Sequence, residues 1–459
     1  MEEEQLAENI RMQNTAIIQL PEKVKYIIET IMEAGYEAYA VGGCIRDSVL
    51  GRVPNDWDIT TSASPYQVKE LFKRTLDTGI KHGTVTVMLD KEGFEVTTYR
   101  IDGEYEDGRH PKEVTFTSQL IEDLKRRDFT INAMAYNEKD GLVDIFHGMD
   151  DIKEKVIRCV GNPMERFSED ALRMMRAVRF SAQLGYRIEE ETAKAMKALA
   201  HDLSKISAER IQAELVKLVV SPHPDYLKIA YVTGITAVVL PEFDACMETE
   251  QKNPHHCYNV GEHTLEAMKV VRSEKVLRLA LLFHDMGKPA ALSVDEGGIY
   301  HFHGHPELSE HIADAVLHRL KFDNDTIFMV KRLVKYHDYD IDPKPKNVRR
   351  AVMKIGEEAF PLLFEVKRAD IQAQSNYLRE EKIQKLTEVF EVYQMILKEN
   401  QCVSLKTLAV SGRDLMDCIG MKPGRELGEM LKQLLELVVE EPSFNDREYL
   451  LAAAKKLLQ

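Results

Sequence analysis

AVGGCIRD, from Ala40 to Asp47, and then NDWDITT, from Asn55 to Thr61, are the stretches on which the reading of this 459-residue chain turns. The apolar run Tyr36 to Val41 reads as a short strand, and a helix follows the pair Gly42-Gly43. Two glycines let backbone approach a phosphate closely and leave amides free at a helix N-terminus. By itself a Gly-Gly turn is more often just a turn. Asp56-Trp57-Asp58 sharpens the reading. It falls in a β-prone run, Asp56 to Thr60, where alternation puts both carboxylates on one face and Trp57 on the other. Neighbouring carboxylates repel unless a cation holds them, and oxygen ligands suit Mg²⁺. Glu95, in the run FEVTTY, is the candidate third ligand, its alternative being a solvated strand residue. Turn, paired acids and third acid together point to a metal site.

Around these stretches, Thr84 to Leu89 alternates as TVTVML and Phe94 to Tyr99 is a further strand, while Pro21 to Ala34 and Pro65 to Lys73 have helical patterns. The mixture predicts an α+β domain. From about residue 150 onward helical patterns take over, among them Glu169 to Leu184, Glu189 to Leu199 and Ala208 to Val219. The expected division is 1–160, 161–243, 244–400 and 401–459. The polar loop Asp102 to Lys112, DGEYEDGRHPK, is long enough to be mobile or functional.

Composition sets outer bounds. Hydrophobic residues at 44% and charged residues at 30% describe a globular chain with sizeable cores. No apolar run reaches the roughly 18 residues of a membrane helix. The acidic start, MEEEQLAENIRMQ, has no apolar signal core, so export is not expected. Six cysteines without CxxC spacing read as reduced thiols in a cytoplasmic protein. A net charge of −15 argues against indiscriminate nucleic-acid binding. Local basic stretches, Lys125 to Arg127 and Arg173 to Arg179, can still steer a polyanion.

RRDFTINA, Arg126 to Ala133, offers two forked guanidinium donors for triphosphate oxygens, with Asp128 and Asn132 placed to hold a ribose and orient the arginines. A solvated charge run at a helix end is the alternative. SEDALRMMRAVRF, Ser168 to Phe180, opens like a capped helix with Asp170 and Arg173 on one face; a surface ion pair is the bland reading. Further on, His263, His284-Asp285, His305, His337 and Asp370 recur in helical context. A lone histidine on an apolar face is usually core, but His-Asp directly after LRLALLF sits at the end of a buried helix. Imidazole with carboxylate suits a hydroxide-generating transition metal.

GGCIRD, NDWDITT, KHGTVTV…EVTTYR and RRDFTINA, in that order, resemble the signatures of the tRNA nucleotidyltransferase and bacterial poly(A) polymerase family. Later motifs extend the likeness over nearly the whole chain, with RHP at His110 where RRP is commoner. The resemblance implies a DNA polymerase beta-like head with a mixed sheet, then an all-α neck, body and tail. It implies addition of CCA to the tRNA 3′ end from CTP and ATP, with pyrophosphate released. A poly(A) polymerase or a CC- or A-adding enzyme shares the motifs; a phosphohydrolase with a non-catalytic nucleotide-binding head is the rival of another class. Asp56 and Asp58, with Glu95, would hold two Mg²⁺ ions. Gly42, Gly43, Arg46, Asp47, Arg126, Arg127, Asp128, Asn132, Asp170, Arg173, Arg176 and Arg179 would bind nucleotide, the Asp170–Arg173 pair reading the base edge. Glu209 and Arg210, in ISAERI, would brace that helix. The histidines resemble the HD phosphohydrolase superfamily, with His263, His284, Asp285 and Asp370 as the metal set, His305 and His337 as the extra pair of two-metal members, and Ni²⁺ or Mn²⁺ as the ion. The tail Val410 to Leu434 resembles the part that meets the tRNA body. Expected partners are tRNA, ATP and CTP, without DNA or membrane.

Overall fold

TVTVML, with Val85 and Val87 fully buried, forms a strand over Thr84–Leu89, the span its alternation predicts. The computed structural model describes residues 18–102 and 114–458, and the chain divides into two compact units, one ending at Val239 and the other beginning at Leu240. The polar loop after Asp102, with His110, lies outside the described residues.

In the first unit the strands are β1 (Ala38–Val41), β2 (Ile59–Thr61), β3 (Thr75–Gly79), β4 (Thr84–Leu89), β5 (Glu92–Thr98), β6 (Arg100–Asp102), β7 (Val114–Phe116), β8 (Ala135–Asn137) and β9 (Gly141–Val143), with two-residue strands Val156–Ile157 and Arg187–Ile188 paired in parallel beyond them. Seven of them make one mixed sheet in the order β3-β4-β5-β2-β1-β8-β9, and β6 pairs with β7. The helix Glu22–Glu33 buries Val24, Ile27, Ile28 and Ile31, a stripe at helical spacing, and lies on β1. Each such buried side chain contributes roughly 2 kcal/mol. Ser64 and Gln67 complete the capping box that starts Pro65–Leu71.

Two expectations need correction. The strand predicted for Asp56 to Thr60 begins only at Ile59, so Asp56 and Asp58 precede β2. The helix predicted for Glu169 to Leu184 is broken. One helix, Pro163–Glu169, ends at Asp170, whose backbone is extended at φ −145°, and another runs Leu172–Leu184.

In the second unit, Lys275–Phe283 buries every residue from Leu277 to Phe283, which delivers His284 and Asp285 into the interior at its end. In the tail, Leu415, Leu434, Val438 and Leu450 pack together, with Met353 of the helix Pro345–Ile355 against them. Among the described residues no helix is long and apolar enough to cross a membrane.

Candidate active site

Parallel pairing of β2 with β5 places Ile59 against Val96, both buried. One residue back from each, Glu95 lies on β5 and Asp58 immediately precedes β2. With Asp56 they line a single cavity of about 890 Å³, which also takes in Asn55, Glu92 and Phe94. Trp57, expected to point away, lines it too: the acidic segment lies before the strand, outside the ladder that would enforce alternation. Crowding by protein pushes the Asp58 carboxyl above its ordinary range, Arg127 pulls it back, and Asp56 adds to the rise. A cation would relieve that penalty, so the acids fit a divalent ion. They do not form a tight preset cage: among the described residues, the groups of three potential ligand atoms within 4.8 Å of one another lie in the second unit.

Gly42 explains the glycine turn. Its φ is +86°, and a Cβ there would come within 2.9 Å of Arg127 Nη1. The turn thus needs glycine twice, for the backbone angle and for the guanidinium behind it. Arg126 and Arg127 follow the end of the helix Leu120–Lys125, and both are held by Asp123, a residue the sequence reading missed. Asp123 is fully buried. It accepts from Arg126 Nε at 2.9 Å and Nη2 at 2.8 Å, from Thr60 Oγ1 on β2 at 3.1 Å, and from Arg127 Nη2 at 3.5 Å. Burial alone would raise this carboxyl, but the two guanidiniums outweigh it and hold its pKa below the ordinary value.

Asp128 and Asn132 do orient arginines, though not the adjacent pair. Asp128 Oδ2 accepts from Arg176 Nε at 2.8 Å, and Asn132 Oδ1 accepts from Arg46 Nη1 at 2.7 Å. Asn132 Nδ2 donates to Asp128 Oδ1 at 3.2 Å, joining the two links. Burial works against the Asp128 anion, yet Arg176 and Asn132 bring its pKa down to about 2. Arg46 also pairs with Asp47 at 2.9 Å, and Arg179 Nε donates to the buried Glu214, a second missed residue, at 2.6 Å.

Asp170 and Arg173 do not share one helix face, because the chain breaks between them. Asp170 is paired with Arg210, Nη2 to Oδ2 at 2.6 Å. Arg173 donates to Glu169 at 2.5 Å and to the carbonyls of Arg166 and Arg126 at 3.0 and 3.2 Å.

The histidines converge in the second unit. Asp285 sits between two pairs. Its Oδ2 lies 3.6 and 3.2 Å from His263 and His284 Nε2, and its Oδ1 lies 3.3 and 3.6 Å from His305 and His337 Nε2. Asp370 Oδ1 closes the first group at 2.9 Å from His263 Nε2. His284, His305 and His337 each turn Nδ1 to a backbone carbonyl, of Leu281, Phe302 and Val334, at 2.6 to 2.8 Å. That fixes Nε2 as the lone-pair atom aimed inward. Nε2 atoms face each other at 3.3 Å (His263, His284) and 3.2 Å (His305, His337), and the buried Asp285 Oδ2 also pairs with Lys288 Nζ at 2.7 Å. Facing imidazole lone pairs around a buried carboxylate fit bound cations. Lys288 and Lys382 line the adjoining cavity of about 540 Å³.

Three family descriptions match successive parts of the chain: "Poly A polymerase head domain" over residues 38–158, "Probable RNA and SrmB- binding site of polymerase A" over 185–247, and "tRNA nucleotidyltransferase domain 2 putative" over 299–454. The last spans His305, His337 and Asp370, while His263, His284 and Asp285 precede it. The CCA-adding enzyme of Lactobacillus helveticus is 36% identical over 91% of this chain and 92% of its own length. That of Enterococcus faecalis is 35% identical over 94% of both. Among solved structures, the Bacillus stearothermophilus CCA-adding enzyme in complex with CTP superposes with a TM-score of 0.71 at 29% identity, covering 96% of this chain and 98% of that one. The Thermotoga maritima CCA-adding enzyme complexed with tRNA shares the fold at a TM-score of 0.56 and 18% identity. With head motifs, sheet and relatives in agreement along nearly its entire length, the chain belongs to the CCA-adding enzyme family and is a nucleotidyltransferase that depends on divalent metal.

Proposed function

We propose that this enzyme adds CCA to the 3′ end of tRNA from CTP and ATP, without a nucleic-acid template. The observation that carries the reading is the shared cavity of Asp56, Asp58 and Glu95, with Arg127 seated behind the glycine turn beside it. The 3′-hydroxyl oxygen of the RNA bonds to the α-phosphorus, the bond from that phosphorus to the bridging oxygen breaks, and pyrophosphate leaves. The hydroxyl proton departs into the open cavity. Asp56 and Asp58, with Glu95, would hold two Mg²⁺ ions, which when bound lower the pKa of the hydroxyl and neutralise the leaving group. Arg126 and Arg127 clamp the triphosphate on the support of Asp123. Arg46 and Arg176 approach the nucleotide from opposite ends of the Asn132–Asp128 link, with Gly42, Gly43, Asp47 and Arg179 around them. Asp170 and Arg173 read the base: cytosine and adenine both offer an amine beside a ring nitrogen, whereas uracil and guanine present a carbonyl there. The helical neck, body and tail divide near residues 243 and 400, and the tail meets the tRNA body. Six free cysteines, four of them buried, suit the reducing cytoplasm.

The test offers tRNA lacking its last three nucleotides together with labelled CTP and ATP. Three additions and a stop are expected. A long A ladder would show a poly(A) polymerase, and addition of CC or A alone a partial enzyme.

The convergent Nε2 atoms favour a second activity. His263, His284, Asp285 and Asp370 would hold one transition-metal ion, and Asp285 with His305 and His337 a second, Ni²⁺ or Mn²⁺, which when bound supplies hydroxide for phosphoester hydrolysis. The protein loaded with Ni²⁺ or Mn²⁺ should hydrolyse phosphodiester or phosphomonoester substrates; absence of both activities sinks this second role.

A further inference from the structure

Phe180 lies in the helix Leu172–Leu184 and is 5% exposed, which on burial alone makes it a core residue. Its surroundings are unusual for one. Three guanidinium carbons stand about the ring, with Arg179 at 3.6 Å from its centroid, Arg46 at 5.0 Å and Arg176 at 5.4 Å. Phe129, from the RRDFTINA stretch, meets the ring edge-on, 5.8 Å between centroids and 80° between planes, and so fixes the plane it presents. Arg176 is one helical turn back on the same helix, whereas Arg46 reaches across from Gly43–Val49, the helix that follows the glycine turn.

We infer that Phe180 is a positioning residue for nucleotide binding, its aromatic ring seating Arg46, Arg176 and Arg179 against one another. Three like charges gathered on one side chain repel. The carboxylates nearby offset that repulsion, but each occupies N–H groups in doing so: Asp47 takes those of Arg46, Asp128 those of Arg176 and Glu214 those of Arg179. An aromatic face attracts a guanidinium through the negative lobe of its quadrupole and leaves the edge N–H groups in the plane. The ring therefore steadies cations without consuming the donors a triphosphate needs. It also links two segments distant in sequence, so the glycine-turn helix and the helix after Asp170 keep a fixed spacing. The inference rests on the proposed roles of Arg46 and Arg176 in nucleotide binding.

The test compares Phe180→Leu, Phe180→Met, Phe180→Tyr and Phe180→Trp in CTP and ATP addition to truncated tRNA, with CTP affinity measured by titration. Leucine and methionine keep an apolar filling but remove the quadrupole. They should raise KM for both nucleotides and weaken CTP affinity by roughly tenfold, the step that one lost contact of this strength produces, with kcat within threefold. Tyrosine should restore wild-type KM within about threefold, and tryptophan should do so where it fits. Leucine and methionine forms with wild-type KM overturn the inference, as does equal impairment of the leucine and tyrosine forms, which marks a packing role. Arg176→Lys separates the layers. If it leaves KM unchanged, the nucleotide-binding reading of these arginines falls and the inference with it. If it raises KM while Phe180→Leu does not, the ring alone loses its role.

Discussion

Replacing Asp123 by asparagine removes one charge from a fully buried position and leaves the shape intact. In the native protein its carboxylate takes a two-pronged contact from Arg126, a hydroxyl from Thr60 and a longer contact from Arg127. The two arginine side chains are 18% and 19% exposed, so solvent screens the pairing only weakly. Breaking one side of a buried ion pair costs about 3–5 kcal/mol. Asparagine keeps an acceptor for Thr60 or one guanidinium N–H, which returns about 1 kcal/mol and leaves a net loss of about 2–4 kcal/mol. In a unit of this size 3 kcal/mol corresponds to about 6–12 °C in Tm. Trp57, the chain's single tryptophan, lines the cavity of the same unit, so a fluorescence melt reads the affected part directly. The released arginines should also lose their grip on triphosphate, raising KM for CTP by roughly tenfold, the equivalent of 1.4 kcal/mol. A variant melting within 2 °C of wild type with unchanged KM would refute the account of how the basic pair is held.

Asp56→Ala should cut nucleotide incorporation by at least about a thousandfold, since metal-borne charge stabilisation supplies several kcal/mol, while CTP titration still registers binding; retained incorporation would remove the acidic segment from the chemistry. Asp128 carries an acid-stability signature. Its folded pKa of about 2 lies below the unfolded value, so its contribution is complete above about pH 4 and disappears as pH falls through 2. The shift is worth about 2 kcal/mol; denaturant melts between pH 5 and 2 should show Asp128→Asn lacking that part of the wild-type decline, and identical slopes would contradict the pairing with Arg176. His284→Ala should abolish binding of Mn²⁺ or Ni²⁺ in the second unit by calorimetry; an unchanged isotherm would place any such ion elsewhere.

Legibility followed the distance over which each signal acts. Thr84–Leu89 and Ala208–Val219 could be read to the residue because alternation and helical spacing are written locally. The three-residue strands β8 and β9 could not, since Ala135–Asn137 owes its strand to β1 on one side and β9 on the other. Asp123 stood hidden in LIEDLK, where Glu122 beside it is equally acidic but only half-buried; only the tertiary approach of Thr60 and the arginines sets the two apart. The histidine positions were legible as a set. The bridging place of Asp285 between two pairs appears only once four helix ends meet.

The break at Asp170 is the most instructive of these failures, because it falls on a residue proposed to read the base. Local propensity favours an unbroken helix from Glu169, yet the chain takes an extended residue there and gains the pair with Arg210. Arg173, likewise, is committed to Glu169 and two carbonyls. Under the proposed reading, nucleotide recognition is an exchange: a base edge must take hydrogen-bonding capacity already in use. Cytosine or adenine can share it, giving Asp170 an amine donor while offering Arg173 a ring-nitrogen acceptor. A uracil or guanine carbonyl would be set against the Asp170 carboxylate, leaving buried groups mispaired at a cost of about 1–3 kcal/mol each. Selectivity then arises less from attraction to the right base than from the resting pairs that a wrong base cannot replace. On that reading Arg210, which pairs with Asp170 at the helix break, would keep the acceptor aimed where the comparison is made.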